Sequence, residues 1–166
     1  MLHALLDKLN RTRPFEKAQA HCDIPCGIYD PAVAQISALT VIRMVDLIAE
    51  LEQKGDLGVA DQARLGRLVG EKEAHAVRAK EEVRIIWGDY FKQPQFDQVA
   101  GVNELVHNIM MQGSTCKQGV DRDAAVAFLN LINQFAEGFW KTKGVETFTA
   151  TCPYPPAEQV VYPKLG

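Results

Sequence analysis

Apolar residues recur at helical spacing over most of this chain, and that periodicity limits the fold more than any other feature. Asp30-Pro31 suits a helix start, and the pattern behind it ends at Gly55. A second pattern begins near Asp61 and is closed by Pro94. Two further patterns follow, a shorter one after Asn103 and a strong one from Asp121 to Gly144. The sequence therefore predicts four main helices.

Strand signals are weak, because no long segment alternates apolar and polar residues and no Asn-Gly or Asp-Gly turn occurs. Amphipathic helices must bury their apolar stripes on one another, so the sequence predicts an all-α fold, a helical bundle. The segment from Gly113 to Gly119 is predicted to be a loop. Residues 149–166 are predicted to be a proline-rich C-terminal tail, extended or disordered, because half of the prolines lie there: Pro153, Pro155, Pro156 and Pro163.

The composition limits the partners and the compartment. With 166 residues and a formal net charge of −3, the chain is sized for one domain and lacks the basic balance of a nucleic-acid-binding protein. No apolar run is predicted to approach the roughly 20 residues that cross a membrane, so no membrane partner is expected. Residues 1–20 lack the apolar stretch of a secretory signal, and Asp7 and Glu16 argue against a mitochondrial one. We therefore expect a cytoplasmic protein with reduced thiols.

The segment from His21 to Cys26 brings two thiols and one imidazole together within six residues. Cys22 and Cys26 would share a helical face, but Pro25 lies between them and disfavours helix at the residue before it. Gly27 adds further turn chemistry. The sequence therefore predicts a tight hook, which is typical of a metal clamp or a disulfide turn.

The donor types narrow the choice of metal. Thiolates favour copper(I), zinc or iron–sulfur clusters, whereas tetragonal sites rich in nitrogen favour copper(II) or nickel(II). A structural zinc site usually needs four ligands at paired spacing, and this chain has no Cys-x-x-Cys and no paired histidines. The hook is one ligand short unless the backbone contributes.

Cleavage after Ala20 would supply the missing ligand. The small residues of Ala18-Gln19-Ala20 suit a peptidase, and a cut there makes His21 the N-terminus. The new α-amine, the amide nitrogen of Cys22 and its thiolate would lie in successive chelate rings. The Cys26 thiolate could close a square plane and the His21 imidazole could reach an axial position, as suits nickel(II). Residues 1–20 are thus predicted to be a leader that a processing peptidase removes.

Two segments carry a resemblance to a known family. The pattern His-Cys-Asp-x-Pro-Cys-Gly-x-Tyr-Asp-Pro, which starts at His21, resembles the nickel-hook signature of nickel-containing superoxide dismutases. Trp87-Gly88-Asp89-Tyr90-Phe91-Lys92 is similar to a second segment of that family. The resemblance covers roughly residues 21–143, and we assign residues 21–148 to the corresponding domain.

The resemblance implies a four-helix subunit that dismutates superoxide to dioxygen and hydrogen peroxide, with nickel cycling between Ni(II) and Ni(III). It implies His21, Cys22 and Cys26 as metal ligands. It places Tyr29 beside the open face of the metal, where Tyr29 could position an anion or water, and gives the backbone around Asp23 a part in orienting the hook. We therefore name Tyr29 and Asp23 as catalytic candidates. The family assembles as a hexamer, so a homohexamer is expected.

The chain departs from the family at two positions that steady the histidine ring, where Ser37 and His75 replace a glutamate and an arginine. This departure keeps open a second interpretation, a metal carrier or sensor without turnover. A third is a structural bundle in which the cysteines are incidental. Three aromatic residues are interpreted as core or interface, and two cysteines as unrelated to the site: Trp87, Tyr90, Phe91, Cys116 and Cys152.

Overall fold

The computed structural model describes residues 27–166. The predicted leader, residues 1–20, and the hook residues His21, Cys22, Asp23 and Cys26 lie outside the described residues. The helices and strands are α1 (Ala32–Glu52), α2 (Val59–Ile85), a π-helical turn (Ile86–Tyr90), α3 (Gln93–Gln98), α4 (Val102–Gln118), α5 (Arg122–Thr142), β1 (Thr147–Thr151) and β2 (Gln159–Pro163).

The four long helices form a bundle in which α1 contacts α2 and α5, and α4 contacts α2 and α5. Each helix thus has two neighbours, and the apolar stripes meet along a common axis. This arrangement confirms the predicted all-α bundle, to which a small two-stranded sheet is added. The fully buried large apolar residues at its centre are Val41, Ile42, Leu51, Val83, Phe91, Ile109, Phe128, Leu129, Ile132, Phe135 and Phe139.

Helix α1 begins where the sequence predicts, because the Asp30 carboxylate accepts a hydrogen bond from the Ala32 amide at 2.8 Å. By length and composition α1 is long and apolar enough to cross a membrane, contrary to the expectation that no apolar run approaches that length. Half of that apolar stretch is buried against the rest of the protein, and a core helix of a bundle passes the same test.

The predicted loop from Gly113 to Gly119 is wrong, because α4 continues through it to Gln118. Gly113 is buried in the helix where the side chain of Lys80 passes over it. A Cβ atom at position 113 would lie 2.7 Å from the Lys80 Cδ and 3.0 Å from Phe128. The glycine therefore permits the close approach of α2, α4 and α5 and does not break the helix.

The C-terminal segment is an ordered antiparallel hairpin, so of the two predicted alternatives, extended or disordered, its strands show the extended one. Thr147 pairs with Pro163 and Thr151 with Gln159, and the hairpin packs on α5. The predicted boundary between residues 148 and 149 falls inside β1. The prolines that suggested disorder lie mainly in the loop between the strands, and Pro163 ends β2.

A buried amide pair fixes this hairpin to the bundle. Asn133 on α5 accepts hydrogen bonds from the Gln35 side chain at 3.0 Å and from the Val161 amide at 3.3 Å. It donates to the Gln159 carbonyl at 2.9 Å, and Gln35 donates to the Val161 carbonyl at 2.9 Å. Strand β2 thus supplies the partners that two buried polar residues of α1 and α5 require.

A buried lysine caps the C-terminal end of α4. The Lys72 ammonium donates to the carbonyls of Cys116 and Lys117, the latter at 2.9 Å, so a cation satisfies the last turn of the helix. Burial lowers the pKa of Lys72, and the nearby Glu73 and Cys116 partly oppose this. Burial raises the pKa of the Cys116 thiol to about 11, Lys72 opposes the shift, and Asp121 adds to it.

We expect Asn133→Ala to lower the free energy of unfolding by about 2 kcal/mol, because it leaves buried partners on α1 and β2 unsatisfied. Asn130→Ala, at an exposed position of the same helix, should change it by less than about 0.5 kcal/mol. Urea unfolding of both variants measures the difference. Equal losses would show that β2 does not depend on this amide pair.

The Cys116 thiol predicts a pH dependence of stability. From its ordinary pKa of 9.0 up to about 11, the unfolded chain releases the proton that the folded chain retains. Stability from this group is therefore complete below pH 9 and is lost as pH rises through the folded pKa. Lys72 has a pKa below its ordinary value of 10.5, so below that pH it makes stability rise with pH, opposite to Cys116. The contribution of Cys116 is therefore obtained by comparing the wild type with Cys116→Ala. The variant should lack this decline in urea melts between roughly pH 9 and pH 11.

Cys152→Ala, which also removes a buried thiol, is the matched control. It should retain the same decline with pH as the wild type. A Cys116→Ala protein whose stability still fell in parallel with the wild type would contradict the assignment to Cys116.

Candidate metal centre

The first described residues lead directly from the predicted hook into α1. Gly27 has a φ of 72°, a left-handed conformation that favours glycine, so the chain turns immediately after Cys26. Ile28 is exposed, Tyr29 is half-buried, and Pro31 is buried at the start of α1. The described part of the chain therefore runs from this turn directly into the buried start of a core helix.

Tyr29 packs on Tyr90, with the ring centroids 5.7 Å apart and the planes tilted by 46°. Tyr90 is the last residue of the π-helical turn that follows α2, and the turn is closed by the Phe91 amide donating to the Ile86 carbonyl at 3.3 Å. Such turns add a residue to a helix and re-aim the side chains after it. The turn thus brings a residue of the second family-like segment against a residue of the first.

The end of α5 holds Tyr90 from the other direction. The hydroxyl groups of Tyr90 and Thr142 are hydrogen-bonded at 2.8 Å, and the Thr142 hydroxyl also donates to the Phe139 carbonyl. The Lys143 ammonium lies 4.3 Å from the centroid of the Tyr90 ring, a cation–π contact. The Phe139 ring centroid is 5.0 Å from that of Tyr90.

A cleft of about 460 Å³ opens beside Tyr29, between the entry to α1 and the end of α2. Its walls are apolar at Ile28 and Ile86 and acidic at Glu81 and Glu82. Asp30 lines the cleft as well, and the three carboxylates give it a negative potential, which disfavours anions.

The two departures from the family differ in their surroundings. Ser37 is buried on α1, and its hydroxyl donates to the Val33 carbonyl of the same helix at 2.8 Å. His75 is partly exposed on α2, and its Nδ1 lies 2.9 Å from the Glu71 carbonyl and 3.5 Å from the Glu71 carboxylate. The His75 ring has a second nitrogen, Nε2, that can bind another partner, whereas Ser37 has only the one hydroxyl.

Between residues 27 and 166, no three His, Cys, Asp or Glu side chains are grouped to hold a metal ion. The predicted ligands His21, Cys22 and Cys26 and the candidate Asp23 precede this part of the chain. Two thiolates, an imidazole and, after cleavage, an amine and an amide nitrogen form a donor set that fits nickel(II). Cys116 and Cys152 are free and buried.

Two residues of this site were not predicted to belong to it. Tyr90 was interpreted as a core or interface residue, and the family-like segment that contains it was the available signal. Lys143 follows the last helical pattern without any motif, so only the tertiary contact identifies it.

Comparisons with known proteins agree with this arrangement. The family of nickel-containing superoxide dismutases matches residues 16–143 of the chain. Superoxide dismutase [Ni] of Streptomyces coelicolor is 35% identical over 130 residues, covering 78% of this chain and 93% of the relative. The enzyme of the same name from Streptomyces seoulensis shows the same identity and coverage.

Solved structures give the same result for the fold. A native nickel superoxide dismutase structure superposes with a TM-score of 0.64 at 35% identity, covering 74% of this chain and 99% of that one. A nickel-containing superoxide dismutase with nickel ligation of the oxidized state gives a TM-score of 0.65 at 33% identity, covering 75% and 99%. The fold and the match together define a metal-dependent oxidoreductase. The chain belongs to the nickel-containing superoxide dismutases, and its cofactor is nickel.

Proposed function

We propose that this chain catalyses nickel-dependent dismutation of superoxide, with nickel cycling between Ni(II) and Ni(III), after a cut that makes His21 the N-terminus. The observation that carries the proposal is the hook signature at His21–Tyr29, in a chain that matches the family from residue 16 to 143. The match to a structure described with nickel ligation of the oxidized state supports a redox role for the metal.

In this proposal, His21, Cys22 and Cys26 bind the nickel, with the freed α-amine and the Cys22 amide as further donors. The bound nickel would supply the one-electron chemistry, since anionic thiolates and an anionic amide stabilise its higher oxidation state. The chain's own task is to hold these donors in place. Gly27 and the buried start of α1 fix the end of the hook, and the backbone around Asp23 helps to orient it.

Tyr29 is proposed to position superoxide or water with its hydroxyl group. Its ring is held by Tyr90, so the hydroxyl has a defined direction. His75 is the proposed replacement for the residue that steadies the His21 ring, because the Ser37 hydroxyl donates within its own helix.

The assembly, the compartment and the processing step belong to the same proposal. We infer a homohexamer, since the family assembles in that way and the family match covers most of this chain. A cytoplasmic location is part of the proposal, as is a peptidase that cuts between Ala20 and His21, where the small residues of Ala18-Gln19-Ala20 suit such a cut.

A nickel carrier without turnover is the second candidate, and Ser37 is the observation that favours it. A hydroxyl donating inside α1 cannot provide the charge of a glutamate to an axial imidazole. Loss of such a partner weakens metal affinity or activity.

The first experiment compares the uncut chain with a form that begins at His21. We expect about one nickel per chain, by elemental analysis, and rapid superoxide consumption only in the cut form, because an intact peptide bond offers no free amine. Cys22→Ser and Cys26→Ser in the cut form are the controls and should lose both properties. Full activity in a verified uncut chain would falsify this mechanism, and nickel binding without turnover would favour the carrier.

A second experiment replaces Tyr29 by Phe in the cut form. The ring contact with Tyr90 is retained while the hydroxyl is lost, so nickel content should not change. Loss of one neutral hydrogen bond to the substrate or water corresponds to about 1 kcal/mol, or roughly a fivefold lower kcat/KM. An unchanged kcat/KM would show that Tyr29 has only a packing role.

A further inference from the structure

Lys143 is the one cation that the structure places on the tyrosine pair among the described residues. Its Nζ lies 4.3 Å from the Tyr90 centroid and 5.7 Å from that of Phe139, and the Tyr90 ring in turn contacts Tyr29 at 5.7 Å. Two contacts in series keep the ammonium within about 10 Å of Tyr29, roughly the Debye length at 0.1 M salt. The side chain is also exposed, so its field reaches the solvent.

The charges around Tyr29 make this cation significant. The substrate of the family is an anion, whereas the chain has a formal net charge of −3 and the cleft beside Tyr29 carries Glu81 and Glu82. An anion approaching that wall meets repulsion, so its approach depends on a local positive potential. The Lys143 ammonium supplies such a positive potential at the Tyr90 ring, beside the end of α5.

We propose that Lys143, held over Tyr90, is a positioning residue that attracts superoxide electrostatically to the Tyr29 surface. Thr142 contributes by holding the Tyr90 hydroxyl at 2.8 Å, which keeps the ring under the ammonium. The proposal rests on the proposed function, since it concerns the substrate of that same site.

Helix capping is the other role open to Lys143, because it follows the last residue of α5 and its amide donates to the Trp140 carbonyl. A cation at a helix C-terminus stabilises the helix through the dipole. That role affects the melting temperature and the nickel content of the protein. It does not predict a salt-dependent effect on the rate of superoxide consumption.

The test measures kcat/KM for superoxide over a range of ionic strengths on the cut, nickel-loaded enzyme. The variants are Lys143→Met, which removes the charge at similar length, and Lys143→Arg, which retains a cation over the ring. Lys141→Met is the matched control, because Lys141 is an exposed lysine on the same helix that lines a separate cleft with Glu137. Nickel content and melting temperature are measured for every variant.

We expect Lys143→Met to lower kcat/KM about two- to fourfold at 0.01 M salt, the size expected for one unit charge about 10 Å away at an effective dielectric constant of roughly 40 to 80, as for a solvent-exposed charge. The loss should vanish near 0.5 M salt, because the Debye length is then far shorter than this distance. Lys143→Arg should retain most of the wild-type value, and Lys141→Met should change it less than Lys143→Met.

Two results overturn the inference while leaving the proposed function intact. One is a Lys143→Met enzyme that matches Lys141→Met at every ionic strength. The other is a loss of kcat/KM that does not change with salt, which would assign Lys143 to helix capping. If the wild-type cut enzyme binds nickel and consumes no superoxide, the proposed function fails and this inference fails with it.

Discussion

Burial of α1 between α2 and α5 is the constraint on which the rest of the structure depends. Ala34 and Ala38 near the start of α1 and Ala76 and Ala79 near the end of α2 are all completely buried, so small side chains lie in the core on both helices. Small residues let two helix backbones approach closely and pack at high density. Because α1 starts three residues after Tyr29, the packing that fixes α1 also positions Tyr29 against Tyr90.

The helices could be predicted because each carries an apolar stripe of the correct period, and the strong pattern from Asp121 is found as α5. The errors occurred where tertiary contacts override local signals. Gly113 resembles a helix end in the sequence, but it makes room for Lys80 inside α4. The hairpin was missed because its strands are five residues long and are joined by a loop rather than by a two-residue turn.

The candidate site likewise combines residues that the sequence indicates with residues that only the tertiary structure brings together. The hook motif and Tyr29 remain predictions from the sequence, made possible because they lie close together in the chain and each residue type has a separate chemical purpose. Tyr90 and Lys143 could not, since they come from the ends of two other helices and meet only after the bundle has formed. The π-helical turn after α2 is the local device that aims Tyr90, and nothing in the apolar periodicity indicates it.

The C-terminal hairpin bears on where the functional unit ends. The family match stops at Lys143, yet Gln35 on α1 and Asn133 on α5 are buried and take their partners from β2. Without that strand both side-chain amides would lose hydrogen-bond partners, and the loss would destabilise the packing of α1 and α5. Because α1 begins shortly after Tyr29 and α5 ends next to Lys143, a segment outside the family match stabilises two of the helices around the candidate site. The hairpin is therefore part of the scaffold that holds α1 and α5 in place.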